Sequence, residues 1–321
     1  FSLFSKGQAV TFPVVLLFID YFTGQKFNKK IIFEKIPFFI LSIVVGIVAV
    51  MAQKSSGSII DNPIRPFFER IFFGSFSFLV YIAKMIVPIN LSAYYPHPDL
   101  ARFLPFYFYL SPLIILPLVY FIFRAYKKDK ILVFGFGFYM INILLLLQIV
   151  PVGGAMMAER YTYLSYLGLF FILGNSINLV WLSKRKTPGS LKYIIVAAFF
   201  LYACFLGGKT RARNKIWKNS ETLWTDVLRQ HNHVVLALSN RGNYYQMEGK
   251  YDLALADYNL ALSLRDNYYD ALINRSGIYR INGKYDLVIK DCNKANSVHK
   301  DKAGAYINRG IAKYPIEKKD E

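Results

Sequence analysis

Cysteine is almost missing from this chain: two residues in 321, Cys204 and Cys292. Two thiols so far apart build no disulfide framework, so packing alone must hold the fold. Acidic residues are scarce as well, 20 Asp and Glu against 39 Lys and Arg, which leaves a net charge of +19. The four histidines, His97, His231, His233 and His299, are scattered, and no Cys or His cluster has metal-ligand spacing. There is no G-x-S-x-G and no phosphate-binding glycine loop. These absences exclude the common soluble hydrolase, nucleotide-binding and zinc-site readings, and no cofactor is identified. "HNH" at His231–His233 opens the first full repeat described below and reads as a solvated turn.

What the chain has instead is long uncharged apolar windows. A hydrocarbon core about 30 Å thick takes roughly 20 apolar residues of helix. Ile36–Gln53, Leu104–Phe123, Ile131–Val150, Tyr161–Ser183 and Tyr193–Gly208 span or nearly span it. Gly7–Phe22 is a sixth candidate, broken only by Asp20 near one end, where a carboxylate is expected to reach water. Beyond Gly208 the composition turns polar. Most Lys and Arg flank the apolar windows, where they orient membrane helices. No basic stripe interleaved with aromatics appears, which argues against a nucleic-acid partner. The fold class is therefore all-α: a polytopic transmembrane helical bundle over 1–208, then a soluble C-terminal region.

Three short loops are basic: Lys26, Lys29, Lys30 and Lys35; Arg124, Lys127, Lys128 and Lys130; Lys184, Arg185 and Lys186. Short basic loops stay in the cytoplasm, so all three belong on one side. That parity fails if every apolar segment crosses. The weakest segment is Pro66–Val87, uncharged only from Ile71 to Ala83, and thirteen helical residues rise only about 20 Å. It is expected to lie embedded without crossing. Lys54–Arg65, Pro88–Arg102, Pro151–Arg160 and all that follows Gly208 are then extracytoplasmic. The cations of "KTRARNKIWK" (Lys209, Arg211, Arg213, Lys215 and Lys218) go against this scheme.

The soluble part repeats at a spacing of 34. "ALSNRGNYYQMEGKYDLALADYNLAL" aligns with "ALINRSGIYRINGKYDLVIKDCNKAN", and "AYINRG" starts a third copy. Small residues at Gly242, Ala254 and Ala261 with aromatics at Tyr245 and Tyr258 resemble the tetratricopeptide repeat, a stacked helix pair. The expected copies are 235–268, 269–302 and a partial 303–321. Residues 209–234 form a linker and a half-repeat helix, with Trp224 one period before Tyr258. "EGKYD" and "NGKYD" read as the turns within the pairs. Asn240, Asn274 and Asn308 recur with the period and are candidate acceptor-groove residues, or else solvated positions. Arg241 and Arg275 are expected to pair with Asp257 and Asp291. With no initiator Met and an end partway through a repeat, the sequence reads as an internal fragment.

"SKGQAVTFPVVLLFIDYF", "DNPIRP", "LSAYYPHP", "AERYTYLSYLGLFF" and "RNKIWKNSETLW" occur in that order ahead of the repeats. The series resembles bacterial membrane glycosyltransferases of the C-type fold that carry C-terminal tetratricopeptide repeats, relatives of the transmembrane and tetratricopeptide repeat-containing protein O-mannosyltransferases. The resemblance implies transfer of a sugar from a polyprenyl-phosphate donor to an acceptor protein, at the outer face of a bacterial inner membrane. It places the catalytic acidic residue in a first outer loop upstream of Phe1. Gly7 stands where relatives often carry Glu. A departing lipid phosphate calls for cations at the membrane surface. Lys6, Arg65 and Arg160 suit that role, Glu159 could orient Arg160 or a sugar hydroxyl, and Tyr161 and Tyr163 could stack on the sugar. Belt tyrosines and a Glu–Arg helix anchor are the plainer reading of the same residues. The alternative function is a membrane-anchored scaffold without transfer chemistry.

Overall fold

The computed structural model describes residues 7–26, 28–55, 66–98, 103–149, 154–182 and 189–320. Among them lie thirteen α-helices and no strand. Two compact units divide the chain, Phe1–Gly207 and Gly208–Glu321.

The helices of the first unit are α1 (Phe12–Thr23), α2 (Lys29–Ser55), α3 (Phe67–Ile86), α4 (Phe106–Arg124), α5 (Lys130–Leu144), α6 (Thr162–Leu182) and the part of α7 (Gly189–Ile216) up to Gly207. Among the described residues four stretches are long and apolar enough to cross a membrane: Lys29–Ala52, Phe106–Arg124, Glu159–Leu182 and Ser190–Ile216. They leave large apolar side chains uncovered, among them Ile43, Ile47, Leu113, Phe121, Phe200 and Leu201, as suits surfaces solvated by lipid tails.

Two expected windows come out shorter. Ala9–Thr23 and Lys130–Leu144 form apolar helices of 10–17 residues. The window Ile131–Val150 stops being helix at Leu144, because the chain then turns, with Gln148 in the left-handed region at φ 57°. Hydropathy alone does not register such a turn. α5 is instead the interior helix, with Tyr139 and Ile143 fully buried. It packs against α6 backbone to backbone: a Cβ on Gly135 or Gly168 would press into the other's carbonyl oxygen. The expectation for Asp20 is corrected too. It is 7% exposed and pairs with Lys35 at 3.1 Å, so its partner is a cation and not bulk water.

α3 is 20 residues long, about 30 Å, so its uncharged stretch understates the helix and length alone does not keep it from crossing. Its partners are more informative. Phe73 and Phe76 meet Phe108 in the first turn of α4, and Gly74 lies against Leu147 and Ile149 just past α5. The Tyr166 hydroxyl, near the start of α6, donates to Tyr81 O at 2.6 Å. The Tyr202 hydroxyl, at the middle of α7, donates to Met85 O at 2.9 Å and Ile86 O at 2.7 Å. These contacts come from near the starts of α4 and α6, from the stretch just past α5 and from the middle of α7.

The second unit holds α8 (Ser220–Gln230), the pairs α9 (Val235–Met247) with α10 (Tyr251–Leu264) and α11 (Tyr269–Ile281) with α12 (Tyr285–Val298), then α13 (Ala303–Asp320). Asn219 opens α8 with a capping box closed by Thr222. His231, at the end of α8, is half-buried and its N–H bonds Val227 O at 2.8 Å, so the "HNH" turn is only partly solvated. Gly249 and Gly283 turn the chain between paired helices at φ 72° and 67°, values that favour glycine. Gly242 lets the Tyr258 ring approach so closely that a Cβ would sit 2.7 Å from it. Ala254, Tyr258 and Ala261 are fully buried, and so are Val288, Cys292 and Ala295 one period later.

A side-chain ladder joins the helices. Arg241 grips Asp257 with two bonds of 2.8 and 2.7 Å and reaches Thr225 at 3.3 Å. Arg275 repeats this on Asp291 at 2.8 and 2.7 Å and on Asn259 at 2.7 Å. Arg309 reaches Asn293 at 2.9 Å. The arginine–aspartate pairing expected from the period is present.

Candidate functional site

Two segments far apart in sequence close over the end of α3. Tyr95 and Met157 form an antiparallel bridge, with Tyr95 N donating to Met157 O at 3.0 Å and Met156 N to Tyr95 O at 2.9 Å. Glu159 N extends it to Ser92 O at 3.4 Å. Backbone groups buried away from water need partners, and tyrosines supply the rest. The Tyr81 hydroxyl, on α3, accepts from Ala158 N at 3.0 Å and donates to Ala158 O at 3.3 Å. The Tyr94 hydroxyl donates to Gly154 O. The Tyr95 hydroxyl accepts from Ser92 N at 2.8 Å and donates to Asn90 O at 2.8 Å. Lys84, also on α3, donates to Ile89 O at 2.8 Å and Asn90 O at 2.9 Å, with its ammonium 5.0 Å from the Tyr95 ring centre. Ala93, Met157 and Ala158 are buried beneath this lattice.

On that platform sits the short 3-10 turn Glu159–Tyr161, which leads into α6. The Arg160 guanidinium donates to Ala93 O at 3.3 Å and lies 5.3 Å from the Tyr161 ring centre, while its side chain stays exposed. Glu159 and Tyr161 are half-buried, and Tyr163 is 82% exposed. The turn therefore presents a cation and an aromatic face on a rigid base, an arrangement able to hold a phosphate and stack on a ring. Burial pushes the Tyr94 hydroxyl up to about 12, with Tyr161 adding to the shift, so at neutral pH it stays protonated and serves as a donor.

The candidates divide accordingly. Glu159, Arg160, Tyr161 and Tyr163 come together, whereas Lys6 and Arg65 lie outside the described residues. Tyr81, Lys84 and Ser92, which hold the platform, were not candidates in the sequence reading. A lone lysine late in an apolar helix was the one signal for them. No group of three His, Cys, Asp or Glu side chains suited to a metal ion occurs among the described residues.

In the second unit the periodic asparagines differ from one another. Asn308 donates to Ser276 Oγ at 3.0 Å. Asn274 hydrogen-bonds the Tyr258 hydroxyl, which burial holds above its ordinary range and which also donates to Gln246 at 2.9 Å. Asn240 is half-buried. Burial likewise pushes the Cys292 thiol up.

No family model matches the chain. Among curated proteins, Protein O-mannosyl-transferase tmtc2 of Xenopus laevis is 29% identical over 119 residues, 37% of this chain. The chain covers 14% of that relative's length. The relative is an amphibian protein, so the similarity does not bear on a bacterial source. Taken with the four apolar helices and the repeated helix pairs, it supports a distant relationship to the O-mannosyltransferases of that type.

Proposed function

We propose that this chain is part of a membrane glycosyltransferase that moves a sugar from a polyprenyl-phosphate donor to an acceptor protein at the extracytoplasmic face. The observation that carries the reading is the docking of Ser92–Tyr95 onto Met156–Arg160, which fixes an exposed arginine and Tyr163 at one end of an apolar bundle. As the glycosidic bond breaks, negative charge collects on the departing lipid phosphate. A preorganised cation stabilises that charge more than the ground state. Arg160 is assigned to the phosphate, Tyr161 and Tyr163 to the sugar or headgroup, and Glu159 to a sugar hydroxyl. Lys6 and Arg65 are proposed as further cations of the same site. The catalytic base is assigned to an acidic residue upstream. The second unit, read as tetratricopeptide repeats, presents the acceptor, with Asn240, Asn274 and Asn308 along its groove.

The test compares Arg160→Ala with Arg124→Ala, which removes an exposed cation at the end of α4. A charge-assisted bond to phosphate is worth about 1.5–3 kcal/mol, so kcat/KM for donor should fall about tenfold or more in the first and stay within about twofold in the second. Arg160→Lys should recover part of the loss. Equal effects from both alanine variants on folded protein would leave Arg160 as a helix anchor. No transfer by the full-length protein would favour the scaffold.

A further inference from the structure

The cations that resist the loop-charge pattern are arranged in a way that the pattern does not explain. α7 runs without a break from Gly189 to Ile216, and its apolar part leaves Ile194, Phe199, Phe200, Leu201 and Phe205 uncovered. Past Gly208 come Lys209, Arg211, Arg213, Lys215 and Lys218, with no acidic residue before Glu221. Helical residues four or seven apart share a face, and residues two apart lie on nearly opposite sides. Arg213 is committed to one side: its guanidinium bonds Asp226 of α8 at 2.8 Å. Arg211 and Lys215 point the other way. Trp217 N still bonds Arg213 O at 3.3 Å and Lys218 N bonds Lys215 O at 3.4 Å, which carries Lys218 onto the same stripe. All three are exposed, and no side-chain hydrogen bond or ion pair is made by them among the described residues. Trp217 beside them is 43% exposed.

We propose that Arg211, Lys215 and Lys218 form a binding site for the headgroup phosphates of anionic phospholipid. Compensation of the helix dipole accounts for a cation in the last turn, but not for a stripe that begins a turn earlier and stays clear of the aspartate that Arg213 takes. Position identifies the ligand. Arg211 and Lys215 lie about 5 and 10 Å along the axis from Gly208, in reach of the headgroup layer for side chains that extend toward an interface. Exposed tryptophan is the usual neighbour of that layer. Uncovered leucine and phenylalanine on the same helix take the acyl chains. The ligand is therefore a phosphate attached to a lipid, not one free in solution.

The experiment uses the whole chain purified in neutral detergent micelles, with thermal unfolding followed as dioleoyl phosphatidylglycerol is added. Each cation near an anionic lipid surface contributes about fivefold in affinity. The half-stabilising lipid concentration should rise on the order of a hundredfold when Arg211→Gln, Lys215→Gln and Lys218→Gln are combined. It should not change for Lys284→Gln, an exposed cation of the loop between α11 and α12. If circular dichroism shows that the triple variant misfolds, Lys215→Gln alone should give about a fivefold rise. Equal stabilisation by dioleoyl phosphatidylcholine, an unchanged lipid titration in the folded variants, or the same rise in the loop variant each overturns the site. Reproduction of the effect by inorganic phosphate at equal concentration overturns the assignment to lipid.

Discussion

The Tyr81 hydroxyl satisfies both backbone groups of Ala158, a residue 77 positions away. Tyr81→Phe leaves a buried N–H and C=O without that partner, at about 1–3 kcal/mol. A lower unfolding midpoint in micelles, with helix content unchanged at low temperature, is the expected outcome; an unchanged midpoint would mean that the bridge at Tyr95 suffices. The asparagines separate in the same way. Asn308→Ala should destabilise the repeats by about 1 kcal/mol in a denaturant melt, because its amide ties α13 to Ser276. Asn240→Ala should leave stability unchanged while raising the acceptor's KM. Sequence reading placed Glu159 and Arg160 at a seam between two apolar windows, and the structure puts both on one turn. It could not find Tyr81, since nothing local to an apolar helix marks which tyrosine will meet a distant backbone.

Elements were legible where local chemistry set them. "EGKYD" and "NGKYD" announce turns because glycine alone accepts the left-handed φ at Gly249 and Gly283 without strain. The period of 34 carried the helix starts with it, Val235 to Tyr269 and Tyr251 to Tyr285. Hydropathy overran at Leu144, where the helix ends although the apolar run goes on. It also could not distinguish α5, buried in the unit, from α2 or α4, which are bare. The close approach of α5 and α6 yields a sharp test. Gly168→Leu has no room beside the Gly135 carbonyl, so the helices must separate, and overpacking of this kind costs about 1–3 kcal/mol or more. The variant should purify poorly or melt early, whereas Gly174→Leu on the same helix, with open space around it, should behave as wild type.

For the molecule as a whole, the way the chain is threaded turns on α3. Its first half meets the start of α4 and its second half meets the start of α6 and the middle of α7, contacts that a helix lying across the bundle would make. Ser56→Cys and His97→Cys, placed on either side of α3 in a Cys204→Ser background, should therefore label from the same side. Cys292 is buried and stays silent. Labelling from opposite sides would make α3 a span and move the turn at Arg160 to the other face. The second unit has a different large-scale property. Arg241 and Arg275 each take one partner sixteen residues before and one sixteen after, and together these make up less than one period of 34. Excising residues 242–275 would hand Arg241 the aspartate at 291 and leave Thr225 in place, so no arginine loses a partner. Removing one residue more, 242–276, puts Cys292 at that place instead, and Arg241 loses its aspartate. The array can therefore grow or shrink by duplication and loss of whole periods, with the arginines acting as a reading-frame check on each splice.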